Sequence, residues 1–172
     1  MASLTDAERE LVAIGAAIGA GCQPCTQYHV RAALESGLSR EEIGRAIDAA
    51  QVVRQEGGIT VAKVGKRMLG AGPEEAQPDV QPPDRPQLLV CIGSAVGCNG
   101  GGLLTGYIAT AVERFGLSGE DLRSALEMAE MVKERAADFL CKDAERALEK
   151  LPVTAVGAAG GSASCCASGC DA

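Results

Sequence analysis

Two stretches of this chain resemble each other in order and spacing, and that internal repeat constrains the fold more than any other feature. GLSREEIGRAIDAAQVVR at 37–54 parallels GLSGEDLRSALEMAEMVK at 116–133. Upstream, AIGAAIGAG at 13–21 parallels CIGSAVGCN at 91–99, and HVRAAL at 29–34 parallels YIATAV at 107–112. The offset moves from 78 (13 to 91) to 79 (37 to 116) within VERFG, where one inserted residue before the glycine accounts for it. Glycines, helix starts and apolar positions recur together, which is the signature of a duplicated supersecondary unit.

Each unit reads as helices, and no segment alternates in the manner of a strand. Thr5 and Glu8 form a capping box, and the run from Leu11 to Ala20 is apolar on all faces, which predicts a buried helix. Gly21 ends it. A second helix is expected from about Pro24, because proline suits a first turn, to Ser36, with Gly37 as the stop. Ser39 and Glu42 make another capping box, opening a third helix to about Arg54. The Gly57-Gly58 pair predicts a break before a fourth helix over 59–69. The expected organisation is all-α: a first helical repeat at 1–70, a proline-rich linker at 71–86, a second repeat at 87–151 and a flexible tail at 152–172. Five of the seven prolines fall in the linker, AGPEEAQPDVQPPDRP, where apolar periodicity disappears. The tail is rich in small residues and glycines that bury too little surface to offset ordering.

Composition narrows the function classes. The net charge of −7, with no basic cluster, argues against nucleic-acid binding. The longest apolar stretch, Leu11 to Ala20, is too short to span a bilayer. The N-terminus lacks a basic segment followed by an apolar run, so no signal peptide is expected. The reading is a cytoplasmic protein, and eight cysteines in that compartment point to catalysis or metal binding rather than to structural disulfides. Aromatic residues make up only 2% of the chain, so helices must pack through Ala and Gly, and association between subunits is expected to bury further surface.

The chemistry concentrates in CQPCTQYH, residues 22–29. Cys22 and Cys25 flank a helix start, where unpaired N–H groups and partial positive charge favour thiolate over thiol. Three-residue spacing there lets one sulfur attack a substrate and the other resolve the product as a disulfide. His29, the one histidine of the chain, lies one helical turn beyond Cys25, within range to move the thiol proton. Glu10 shares a helical stripe with Ile14 and Ile18, which allows either a partly buried carboxylate that orients His29 or a solvated first-turn residue. In the second repeat, Glu10, Cys22, Cys25 and His29 correspond to Leu88, Gly100, Leu103 and Tyr107. All four polar positions are replaced together while the framework persists, so they read as one functional set.

The pattern Glu10, eleven residues, Cys22-x-x-Cys25, three residues, His29, followed by VRAALESGLSREEI, resembles the alkyl hydroperoxidase D branch of the carboxymuconolactone decarboxylase family over about residues 5–55. The resemblance implies an all-α fold of two tandem copies, the second without active-site residues. It implies Cys25 as nucleophile, Cys22 as resolving cysteine, and His29 with Glu10 as proton relay. It also implies a thiol-disulfide oxidoreductase or peroxidase, with no cofactor. The substrates would be a hydroperoxide or a protein or lipoyl disulfide. A peroxiredoxin or dihydrolipoyl group would be the partner, and the assembly a homotrimer or other homo-oligomer. The decarboxylase branch lacks this cysteine pair; a non-redox lyase is the further alternative.

Other cysteines carry a second reading. Cys165 and Cys166 are adjacent and Cys170 follows. On a flexible arm they could exchange with Cys22–Cys25 as accessory thiols. With the C-x-x-C they could instead capture a soft metal ion or arsenite. The C-x-x-C-x-x-x-H set offers three metal ligands and a tail cysteine could supply a fourth, but structural zinc sites usually bring two knuckle-like pairs and a helix-start C-x-x-C suits redox better, so no metal is assigned to it. Cys91, Cys98 and Cys141 read as small apolar core residues, and 140–150 as a solvated helix face.

Overall fold

The computed structural model describes residues 4–70, 82 and 84–150. The expected linker, apart from its end, and the tail with Cys165, Cys166 and Cys170 lie outside the described residues. Six helices follow in order: α1 Asp6–Ala20, α2 Gln23–Glu35, α3 Arg40–Met68, α4 Arg85–Gly97, α5 Gly101–Glu113 and α6 Gly119–Glu149. Among the described residues there is no strand, as the periodicity predicts. No described helix is long and apolar enough to cross a membrane.

The helix starts follow local chemistry. Thr5, Ser39 and Ser118 each cap a helix and receive the reciprocal carboxylate from Glu8, Glu42 and Asp121. Each box satisfies two backbone N–H groups that the first turn would otherwise leave unpaired. Asp84 caps α4 through the N–H of Gln87 at 2.8 Å.

Helices α1 and α4 lie side by side at the centre, and α3 and α6 each pack across both. Helix α2 covers α1, and α5 covers α4. The central pair meets backbone to backbone. A Cβ at Gly15 would collide with the Val90 carbonyl, and one at Gly93 would collide with the Val12 carbonyl. Gly19 and Gly97 stand in the same relation to Ser94 and Ala16. A chain with few aromatic rings thus builds its core by close approach of helices rather than by filling space between them. The surrounding core joins Val12, Ala16, Leu88, Ile92, Ala125 and Val132 from α1, α4 and α6. Ser94, fully buried on α4, donates from its hydroxyl to the Ala50 carbonyl of α3 at 2.8 Å, which satisfies a polar group in that core.

Two expectations need correction. There is no break at Gly57-Gly58: α3 runs unbroken from Arg40 to Met68. Gly57 is buried with the Cys98 sulfur 2.9 Å from where its Cβ would sit, so the glycine admits the end of α4 and does not end the helix. Tertiary packing outweighs the helix cost of two glycines. Of the three cysteines assigned to the core, Cys91 is buried, whereas Cys98 and Cys141 are half-exposed.

Candidate active site

The turn between α1 and α2 positions the two cysteines. Gly21 adopts the left-handed conformation and closes α1. The next N–H, that of Cys22, donates back to the Ala17 carbonyl at 2.9 Å. Only two residues therefore separate the helices, and Cys22 becomes the N-cap of α2. Its sulfur accepts the N–H of Cys25 at 3.2 Å, taking the place of the usual capping oxygen. Both sulfurs sit in the positive field of the helix start.

Cys22 and Cys25 are joined by a disulfide. They are 7% and 5% exposed, so the bond is largely sheltered from solvent. One turn on, His29 Nδ1 lies 2.9 Å from Glu10 Oε2 of α1. The two side chains are 13% and 19% exposed. The contact engages Nδ1 with the carboxylate and leaves Nε2, the other ring nitrogen, outside it. The ring of exposed Tyr28 meets His29 edge-on, with centroids 5.0 Å apart. All four candidate residues are thus gathered where α1 and α2 pack together. The carboxylate is held by a partner, as the partly buried reading of Glu10 requires.

The remaining described thiols differ in kind. Burial pushes the Cys91 thiol up to about 12, against a hydrogen bond from Tyr107. Burial also raises Cys98 above its ordinary range, opposed by the Gly100 backbone and by the charges of Arg54 and Lys133. Among the described residues no group of three or more His, Cys, Asp or Glu side chains is placed to hold a metal ion.

Sequence reasoning passed over Arg54. Its Nη1 donates to the Ile18 carbonyl at the end of α1, at 3.0 Å, and it lines an open cleft with Cys22. The signal was present: Arg54 aligns with Lys133 in the repeat, a cation at the same position in both copies.

Residues 2–62 match the model of the Carboxymuconolactone decarboxylase family. No curated protein and no solved structure gives a match.

Proposed function

We propose that this chain, whose residues 2–62 match the model of the Carboxymuconolactone decarboxylase family, is a thiol-disulfide oxidoreductase of the peroxidase type. The observation that carries this reading is the Cys22–Cys25 disulfide at the start of α2, one turn from the His29–Glu10 pair. Helix-start thiols, a resolving partner three residues away and an oriented base are what dithiol chemistry needs.

In the proposed cycle the Cys25 thiolate attacks the distal oxygen of a hydroperoxide. The O–O bond breaks, the alkoxide leaves and takes a proton through His29, and Cys25 becomes a sulfenic acid. The Cys22 thiolate then attacks the Cys25 sulfur, forming the disulfide and releasing water once the hydroxide is protonated. Glu10 stabilises the protonated imidazole between these transfers. The same pair can oxidise or reduce a protein or lipoyl disulfide, and a peroxiredoxin or dihydrolipoyl group is the proposed redox partner. A homotrimer or other homo-oligomer is also proposed. What supports it is the apolar surface on the last turns of α3, where Met68 and Leu69 are 84% and 90% exposed.

The test is to reduce the protein anaerobically, add one equivalent of an organic hydroperoxide, and map disulfides by mass spectrometry within seconds. Rapid formation of Cys22–Cys25, abolished by Cys25→Ser, supports the peroxidase reading. Formation only with a dithiol–disulfide partner narrows it to a reductase. The family name also supports a lyase; lyase turnover retained by Cys25→Ser would replace the redox reading.

A further inference from the structure

The disulfide state is the one a reductant must meet, and its surroundings differ on the two sides of Cys22. Two open clefts border the bond, and both are lined by Cys22 while neither is lined by Cys25. Along these two clefts the residue of the pair that an incoming thiol meets is Cys22. The smaller cleft, about 420 Å³, has Phe139 and Leu140 of α6 in its wall together with Lys133 and Asp143, so its cation is matched by a carboxylate. Lys133 also donates to the Asn99 side chain.

The larger cleft, about 640 Å³, is different. Its polar lining is Gln23, Thr26, Gln27 and Arg54, and Arg54 is the one charged residue among the lining side chains. The guanidinium is anchored: Nη1 is held by the Ile18 carbonyl at 3.0 Å, and Nη2 lies against Gly21, 2.9 Å from where a Cβ would sit. A side chain at position 21 would meet the guanidinium and force it to shift. Among the described residues no carboxylate pairs with Arg54. An anchored cation without a counter-charge, beside the disulfide of a chain of net charge −7, sets a local field opposite to that of the whole molecule.

We propose that Arg54 is a specificity-determining residue that selects a small anionic, carboxylate-bearing thiol as electron donor, which enters the larger cleft and attacks Cys22. The inference rests on the oxidoreductase reading above. The donor thiolate attacks Cys22 Sγ, the Cys22–Cys25 bond breaks, and Cys25 leaves as a thiolate that takes a proton from solvent or His29. The second thiolate of a dithiol donor then attacks the donor's own sulfur in the mixed disulfide, and Cys22 leaves as a thiolate. The donor loses two electrons to become a cyclic disulfide, and the protein gains two. Arg54 pairs with the donor carboxylate and offsets the repulsion between an anionic donor and an acidic chain.

Dihydrolipoate and dihydrolipoamide test this, because they carry the same dithiol and differ by one carboxylate. Their second-order rates of reducing the full-length oxidised protein would be measured by stopped flow at low and high salt. The expected wild-type preference for the carboxylate form is about tenfold at low salt, shrinking as salt screens the pair. In Arg54→Gln the preference collapses towards one, and in Arg54→Lys it is largely kept. A wild-type ratio of one or less, or a preference unchanged in Arg54→Gln, overturns the inference while leaving the dithiol chemistry intact. If neither donor reduces Cys22–Cys25, the oxidoreductase reading falls as well. A role for Arg54 confined to closing the end of α1 would change both rates alike and leave their ratio as it was, which also overturns the proposal.

Discussion

His29 Nδ1 of α2 and Glu10 Oε2 of α1 are 2.9 Å apart across a turn of two residues. The contact ties the orientation of the imidazole to the helix that runs through the molecular centre. His29→Ala and Glu10→Gln are both expected to slow hydroperoxide-driven disulfide formation by about 100-fold or more, the usual scale for loss of a positioned proton carrier. The double variant should be little slower than either single one, because the two act as a unit. Stopped-flow thiol loss with each variant checks this, and additive effects would show that the residues act separately.

The α1–α4 crossing makes a sharp contrast between glycines. Gly15→Ala or Gly93→Ala drives a methyl group into a backbone carbonyl that cannot rotate away. The expected loss is about 3 kcal/mol or more of stability. Gly58, also in a helix, has open space where its Cβ would be. Gly58→Ala should stabilise by about 0.5–1 kcal/mol. Chemical denaturation of the variants against wild type measures both.

Acid should loosen the molecule through Glu8. Burial raises the pKa of this carboxyl. The Arg85 hydrogen bond and charge, together with the Thr5 backbone and hydroxyl, outweigh that and hold it below 4.5. Because the folded value is depressed, its contribution is present above 4.5 and is lost as the pH falls through the lower folded value. The Arg85 Nε contact at 2.6 Å joins α4 to α1. Glu8→Gln should cost about 0.5–1 kcal/mol at neutral pH, the scale of a screened pair, and should flatten the acid side of the stability curve. Thermal melts across that range decide it.

Thiol reactivity should be graded. Cys91, raised to about 12 and buried, is expected to resist iodoacetamide in the native protein and to react fully once denatured. After reduction, Cys22 and Cys25 should label at neutral pH well before it. Peptide mapping of a labelling time course gives the order, and early labelling of Cys91 would contradict it.

Much of this was legible in the sequence because the information is local. The Thr5–Glu8 and Ser39–Glu42 boxes, Gly21 and Gly37 mark helix ends through contacts three to five residues apart, and α1, α2 and the start of α3 fall within a residue or so of expectation. Cys22, Cys25 and His29 share one helix start, so spacing alone brought them together. Glu10 belongs to another helix; its stripe position fitted two roles, and only the fold places it on His29. The Gly57-Gly58 pair misled because a glycine that ends one helix and a glycine that admits a neighbour look alike in one dimension. Arg54 is 29 residues beyond Cys25, and its approach to Cys22 depends on how α3 crosses α1.

The glycine contacts of α1 and α4 have a consequence for what can change around the chemistry. Side chains usually absorb small displacements between helices, but here bare peptide planes touch at Gly15, Gly19, Gly93 and Gly97. The height and rotation of α1, and so the location of Glu10 and of the turn that presents Cys22, are dictated by α4, which holds none of the four candidate residues. The half of the molecule without the candidate residues is therefore the jig for the half that carries them. A substitution at Gly93 or Gly97 is expected to be read out at a disulfide it never touches.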